Sequence, residues 1–253
     1  MLNCGMRFCV LLLFFVASFS LSSPVCAESS ETVRYRALGH GVWLHTSMKD
    51  MSPWGYIPTN GLIVEAEDHS LLVDTAWNDA QTEAIVKWAR EVLGKPVRYA
   101  VFTHAHEDKM GGVAALRKAG VVTYASAASN RLAPSRQLLP AEHDLVFDQD
   151  HRAPLFSLQI LDPGPGHTHD NIVVGLPDKG IVFGGCLIRP PGATSLGNTA
   201  DGDIQHWATA VRNVERAFPG AELIVPSHGP PAGRELFTLT RQLAQKAQTP
   251  QKP

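Results

Sequence analysis

Short apolar runs alternate along this chain with segments whose apolar residues recur at helical spacing. In one such segment Ala84, Ile85, Trp88 and Val92 follow the 3.6-residue period of a helix, and a glycine and a proline come directly after it as a stop signal. Patterns of this kind predict helices over residues 79–93, 112–119, 127–132, 204–218 and 234–246.

The other apolar runs are short and bounded by turn-forming residues, which predicts strands. They cover residues 61–65, 70–74, 97–102, 121–124, 155–161, 172–176, 180–183 and 223–226, and residues 32–46 predict edge strands of a hairpin. Residues 47–60 are rich in Pro, Gly and aromatic residues and are predicted to form a loop, and residues 247–253 a frayed tail. Because no linker divides the chain, we predict two sheets packed face to face with helices outside.

The composition is that of a globular protein and excludes one class of partner. Of the 253 residues, 44% are hydrophobic and 18% are charged, and 22 basic against 24 acidic residues leave a net charge of −2. Nucleic-acid-binding domains carry a clustered basic face. This chain has no such block, so we expect no nucleic-acid partner.

Residues 1–27 have the pattern of a secretory signal peptide. Arg7 precedes an apolar run from Cys9 to Leu21, which is too short to span a bilayer, and Val25-Cys26-Ala27 resembles a cleavage site. We expect cleavage before Glu28, a mature domain over residues 28–253 and export to the periplasm. An uncleaved anchor and a lipoprotein acylated at Cys26 are the alternatives.

Cleavage at this point would leave one thiol, Cys186, so no internal disulfide could form. A lone cysteine in an oxidising compartment is a chemical liability unless it is buried or committed to a metal. Taken alone, Cys186 would be predicted to be a buried apolar residue.

The strongest chemical signal is the trio His104, His106 and Asp108, which follows a predicted strand. In an extended backbone alternate side chains leave on the same side, so the three could converge. Imidazole and carboxylate are suitable ligands for zinc. In α/β proteins chemistry usually lies beyond the ends of strands.

Three further loops carry ligand-type residues directly after apolar runs. They contain His167, Cys186 and His228, each beside glycine or proline that permits tight loops and close backbone approach. Any one of these histidines alone would be predicted to be a structural loop residue. All four segments in one chain predict a metal centre.

These motifs resemble those of subclass B1 metallo-β-lactamases over most of the mature chain. The likeness includes residues 60–64, 72–77, 163–167, 184–188 and 196–198, and residues 103–112 and 125–134 are closest in wording to the New Delhi type. Glyoxalase II-like members have a histidine where Lys109 stands and lack a cysteine ligand, and subclass B2 has asparagine where His104 stands. The resemblance implies an α/β fold, the four-layer αβ/βα sandwich.

The resemblance also implies two zinc ions and a reaction. His104, His106 and His167 would hold the first ion, and Asp108, Cys186 and His228 the second. A zinc-bound hydroxide would attack the amide of penicillins, cephalosporins or carbapenems, giving antibiotic resistance. Asp108 would orient the hydroxide. The rival hypotheses are a hydrolase of this fold acting on a thioester or lactone, and a non-catalytic zinc-binding secreted protein.

The substrate-binding residues are implied in the same way. Asn198 would stabilise the oxyanion, and Arg189, where the family usually has lysine, would bind the substrate carboxylate, unless it is a solvated charge. Met48, Met51 and Trp54 would form an apolar lid, unless they pack inward. The chain is expected to be a monomer without a membrane span.

Several neighbouring residues are predicted to lie outside the ligand set. Trp77 is predicted in the core, Asp74 behind the metal loops, and Glu107, Lys109 and His169 at the surface. Six other histidines show no ligand-like context: His40, His45, His69, His143, His151 and His206.

Overall fold

The computed structural model describes residue 1 and residues 32–249, so the predicted signal segment and its cleavage site lie outside the described residues. Within the described part the chain forms twelve strands and six α-helices. The strands are β1 (Arg34–Gly39), β2 (Val42–Asp50), β3 (Tyr56–Glu65), β4 (Ser70–Val73), β5 (Val97–Phe102), β6 (Val122–Ala125), β7 (His143–Asp144), β8 (Arg152–Leu155), β9 (Leu158–Leu161), β10 (Val173–Leu176), β11 (Ile181–Gly185) and β12 (Leu223–Pro226). The helices are α1 (Asp79–Glu91), α2 (Glu107–Met110), α3 (Val113–Lys118), α4 (Ala127–Leu132), α5 (Ile204–Ala217) and α6 (Glu235–Gln248).

The strands form two sheets. The first has the order β1-β2-β3-β4-β5-β6-β7, and the second has the order β12-β11-β10-β9-β8. Strands β1 to β4 pair antiparallel, whereas β4 to β7 pair parallel. In the second sheet only β11 and β12 are parallel.

Both faces of the central strands are buried, which explains their nearly continuous apolar sequences. In β3, Leu62 and Val64 pack between the sheets, while Ile63 faces the helices α1 and α3. In β11, Phe183 packs between the sheets, and Val182 faces α5 and α6. The result is the predicted four-layer arrangement of helices, sheet, sheet and helices.

The helices begin where the sequence supplies caps. The Asn78 side chain accepts a hydrogen bond from the Gln81 N–H at the start of α1, and Asp203 does the same for His206 at the start of α5. Five predicted helices are confirmed, with ends that differ by one or two residues. The tail prediction was wrong in part, because α6 continues to Gln248.

The loop predicted over residues 47–60 was wrong. Strands β2 and β3 pair without interruption from Val42 opposite Val64 to Asp50 opposite Tyr56 and turn only at residues 51–55. Pro58 is tolerated because β4 pairs only with Leu62–Glu65, so this part of β3 is an edge without a second neighbour. The aromatic and proline content therefore belongs to a projecting hairpin.

The predicted strand over residues 155–161 is two strands, β8 and β9, joined by a turn at Phe156, whose φ is +55°. The short strand β7 was not predicted, because its two residues are exposed and carry no apolar pattern. Among the described residues no helix has the length and apolar character needed to cross a bilayer.

Trp207 of α5 should be a major source of stability. It is fully buried, and its indole N–H donates to the Leu187 carbonyl at 2.8 Å. We expect Trp207→Ala to lower the free energy of unfolding by about 3–5 kcal/mol, measured by urea denaturation. Trp54→Ala is the matched control, because Trp54 is 76% exposed, and it should change stability by less than about 0.5 kcal/mol. Equal losses in the two variants would contradict this assignment.

Candidate metal centre and substrate cleft

The first sheet contributes His104, His106 and Asp108, which follow β5. The prediction that the backbone is extended through all three residues was wrong. The His106 N–H donates to the His104 carbonyl at 3.0 Å, and Asp108 lies in the first turn of α2. The side chains nevertheless converge, because the chain turns from extended to helical directly after His106.

The second sheet contributes the other three predicted ligands from the ends of its strands. His167 lies in the loop between β9 and β10, Cys186 follows β11, and His228 follows β12. The two rims are joined by Asn60 of β3, whose side-chain amide donates to the Pro226 and Gly229 carbonyls at 2.9 and 2.7 Å.

The six donors form one continuous cluster. His106 Nδ1 lies 3.1 Å from His104 Nε2 and 3.3 Å from His167 Nε2. Cys186 Sγ lies 3.4 Å from His228 Nε2 and 3.7 Å from Asp108 Oδ2. Their ligand atoms fall into three overlapping groups, each with mutual separations below 4.8 Å: His104, His106 and Asp108; His104, His167 and Cys186; Asp108, Cys186 and His228.

The tautomers of two histidines suit metal binding. His228 Nδ1 lies 2.7 Å from the Pro58 carbonyl, and His106 Nε2 lies 2.8 Å from Asp201 Oδ2. These oxygens accept, so each ring in its neutral form carries its proton there and turns a lone pair toward the cluster. Imidazole lone pairs packed against a thiolate and a carboxylate fit a divalent cation.

The charges of the cluster favour the ligating forms of Cys186, Asp108 and His106. Burial opposes protonation of His104 and His228, but Cys186 and Asp108 outweigh it and raise the pKa of both rings. Burial opposes ionisation of the Cys186 thiol, but His228 and Lys109 outweigh it and hold the pKa of Cys186 well below its usual range. Burial likewise opposes ionisation of Asp108, but Lys109, His228 and His104 together outweigh it and keep the pKa of that carboxyl below its ordinary value. Burial, followed by repulsion from His104, lowers the pKa of His106 to about 4, so this ring is neutral at physiological pH.

Two buried carboxylates hold the loop after β5. Asp74 accepts from the Thr103 backbone N–H at 2.7 Å and from its hydroxyl at 2.9 Å. Asp170 accepts from the Ala105 N–H at 2.8 Å. The prediction that Asp74 lies behind the metal loops is therefore confirmed by its contacts.

A cleft of about 1030 Å³ opens over the cluster. Among the predicted substrate-binding residues, Arg189, Asn198, Met51 and Trp54 line it, whereas Met48 is not among the lining residues. Trp54 does not pack inward, because it is 76% exposed at the hairpin tip.

The Arg189 side chain is held near its own loop. Its Nε donates to the Ser195 carbonyl at 3.2 Å, and its backbone N–H donates to the Thr240 hydroxyl at 2.9 Å. Arg189 also lines the cleft, and no other hydrogen bond of its guanidinium group is found among the described residues. Asn198 is exposed, and its Oδ1 accepts from the Ala200 N–H.

Two predictions about neighbouring residues need correction or addition. Lys109 is not exposed but completely buried, because Asp74, Asp108 and the Thr59 hydroxyl surround its ammonium group. Trp77 is buried as predicted and also lines the cleft. Glu107 and His169 are exposed, as predicted.

Sequence reasoning missed Asp201 and Arg136. Asp201 contacts His106, and Arg136 contacts Asp201 at 3.0 Å while donating to the Ala105 carbonyl at 2.8 Å. The available signals were positional: Asp201 lies three residues after Asn198, and Arg136 lies two residues after the stretch 125–134.

Comparison with known proteins identifies the family to which the chain belongs. A family model described as the metallo-beta-lactamase superfamily matches residues 54–228. A metallo-beta-lactamase type 2 of Bacteroides fragilis is 36% identical over 214 residues, covering 85% of this chain and 86% of that protein. Another, of Bacillus cereus, is 31% identical over 227 residues, covering 90% and 88%.

Among solved structures, FIM-1 of Pseudomonas aeruginosa, described in its mono-zinc form, is similar with a TM-score of 0.84 and 65% identity, covering 86% of this chain and 97% of that one. A metallo beta lactamase of Erythrobacter litoralis has a TM-score of 0.83 and 50% identity, covering 85% and 96%. The likeness to the New Delhi type stays a prediction. Fold, donor set and relatives agree, and the chain belongs to the metallo-β-lactamase superfamily, in subclass B1.

Proposed function

We propose that this protein is a β-lactamase that uses two zinc ions to hydrolyse penicillins, cephalosporins and carbapenems. The observation that carries the proposal is the cluster of four imidazoles, one carboxylate and one thiolate at the floor of an open cleft. Relatives named metallo-beta-lactamase over most of the chain support the substrate class.

Two observations support a division between two ions. Asp108, Cys186 and His228 form one of the close groups, and His106 Nδ1 lies 3.1 Å from His104 Nε2 and 3.3 Å from His167 Nε2. His104, His106 and His167 would hold one zinc, and Asp108, Cys186 and His228 would hold the other. Zinc bound in such sites acts as a Lewis acid that polarises carbonyl groups and ionises water near neutral pH.

The chain's own residues then bind and orient the reactants. Arg189 would bind the substrate carboxylate with its remaining N–H groups, which form a fork matched to a carboxylate. The Asn198 amide would donate to the carbonyl oxygen as negative charge develops there. Met51 and Trp54 would cover apolar side groups of the substrate.

In the reaction, the oxygen of water bonds to the lactam carbonyl carbon, the carbon–nitrogen bond breaks, and the nitrogen takes up a proton. Asp108 would accept a hydrogen bond from the attacking water and so orient it. This reaction needs no serine nucleophile, because water attacks the carbonyl carbon directly.

We also propose that the protein works in the periplasm as a monomer after loss of residues 1–27. The pattern of that segment supports export. Amino-terminal sequencing of protein recovered from periplasmic extract should give a chain that begins at Glu28.

The primary test measures metal content and turnover on the same preparation. We expect two zinc ions per chain by elemental mass spectrometry and steady-state hydrolysis of a penicillin, a cephalosporin and a carbapenem. A chelator should abolish hydrolysis, and added zinc should restore it. Absence of turnover with all three would contradict the lactamase proposal. Turnover of a thioester or lactone, or zinc binding without hydrolysis, would then identify one of the rival functions.

Two nearby histidines offer a matched test of the ligand assignment. His167 is nearly buried within the donor cluster, whereas His169 is exposed. His167→Ala should lose one bound zinc and most of its activity, because two imidazoles remain where three are needed. His169→Ala should keep the metal content and turnover of the wild type. Equal behaviour of the two variants would refute the role of His167.

Arg189→Ala should weaken substrate binding more than it slows the chemical step. A hydrogen bond to a charged group contributes about 1.5–3 kcal/mol, so KM should rise about tenfold or more while kcat changes less. Arg189→Lys keeps the charge, so its KM should lie between those of the wild type and Arg189→Ala. An unchanged KM for carboxylate-bearing substrates would show that Arg189 does not bind them.

A further inference from the structure

Lys109 places a positive charge directly behind the cluster of six donors. The side chain is fully buried, and its ammonium group lies 3.0 Å from Asp108 Oδ2 and 3.6 Å from Asp74 Oδ2. It also donates to the Thr59 hydroxyl at 2.8 Å and approaches the Asn60 carbonyl at 3.4 Å. Lysine is almost never fully buried unless it is paired, so this position implies a specific electrostatic role.

Three anions and one neutral imidazole face the single positive charge of Lys109. The anions are Asp108, Asp74 and the Cys186 thiolate. The buried His45 adds no charge, because burial lowers the pKa of its imidazole to about 3. Asp74 is already engaged by two hydrogen bonds from Thr103. Of the two carboxylates, that of Asp108, which is predicted to bind metal, lies closer to the ammonium group, at 3.0 Å against 3.6 Å for Asp74.

The same carboxylate oxygen serves Lys109 and the predicted metal ligands. Asp108 Oδ2 contacts Lys109 Nζ and the Thr59 hydroxyl, and it lies 3.5 Å from His228 Nε2 and 3.7 Å from Cys186 Sγ. A carboxylate that accepts from an ammonium is a weaker donor to a cation. Like charges repel strongly where water is excluded.

We propose that Lys109 is a built-in counter-cation that weakens divalent-metal binding by Asp108, Cys186 and His228 relative to the three-histidine group His104, His106 and His167. It holds Asp108 and the Cys186 thiolate in place without metal and competes with the cation for them. Lys109 is thus a positioning residue that acts through Asp108. This inference rests on the proposed two-zinc function.

Cobalt(II) titration of the metal-free protein separates the two groups, because a thiolate-to-cobalt charge-transfer band reports only the group with Cys186. In the wild type this band should develop late in the titration. In Lys109→Gln it should develop with the first equivalents. The dissociation constant of the second zinc, measured by competition with a chelator, should fall about tenfold or more. An unchanged or larger constant would overturn the proposal.

Asp74→Asn provides a test of opposite sign. It removes an anion shared with Lys109 while keeping the shape of the side chain, so the second zinc should bind several-fold more weakly. A purely structural role would make both variants bind metal more weakly, which would contradict the proposal. If Lys109→Gln does not fold, Lys109→Met replaces it in the same titration, because it removes the charge while filling a similar volume. An unchanged or smaller dissociation constant in Asp74→Asn would also overturn the proposal.

Lys49→Gln is the matched control for loss of a lysine charge. Lys49 is paired with Glu107 at 2.5 Å and is partly exposed beside the same loop. It should leave the second dissociation constant unchanged, and a tenfold fall in this variant too would also overturn the proposal. If the wild type binds two zinc ions and hydrolyses β-lactams, but Lys109→Gln binds the second zinc with unaltered affinity, only this inference is refuted. A wild type that binds no zinc refutes the proposed function.

Discussion

The loop after β5 depends on two buried carboxylates, Asp74 and Asp170, that accept its backbone N–H groups. Asp74 comes directly after β4 of the first sheet, and Asp170 lies in the loop before β10 of the second. Together they hold Thr103 and Ala105, so the backbone on both sides of His104 is fixed. A buried carboxylate is costly unless it is hydrogen-bonded, and these bonds therefore define the position of the loop.

One residue with a strained backbone lies at the same point. Asp74 has a φ of +61°, in the left-handed region that non-glycine residues rarely adopt. This conformation turns the chain after β4, and the Asp74 carboxylate faces Thr103 and the Lys109 ammonium. The apolar packing of the strands on both faces provides the stability that this strained, charged layer requires.

The site belongs to both sheets, which explains why its residues are so far apart in sequence. His104, His106 and Asp108 come from the first sheet, and the other three donors come from the second. The Asn60 side chain of β3 donates to the Gly229 carbonyl, and the Pro58 carbonyl accepts from His228 Nδ1, both in the loop that follows β12. The inner faces of the sheets form one core, so movement of one sheet against the other would separate the donors.

Local pattern was sufficient for some predictions and misleading for others. The helix over 204–218 and the strand over 97–102 were correct within a residue, because their periodicity and caps agree with their burial. The hairpin over residues 47–60 was missed because a projecting edge can pair through Pro58, which local composition does not reveal. Lys109 was predicted at the surface because a single lysine carries no sign of the three partners that surround it.

By itself the sequence predicted the six side chains that the structure brings together, the strand ends where they lie and the apolar pattern of each strand and helix. Each of these depends on residue type and spacing within one segment of the chain. Only the tertiary structure decided that Lys109 is buried behind Asp108, that Asp201 and Arg136 support His106, and that Met48 does not line the cleft. Those facts depend on which distant segments pack together, because burial and charge compensation arise only from that packing.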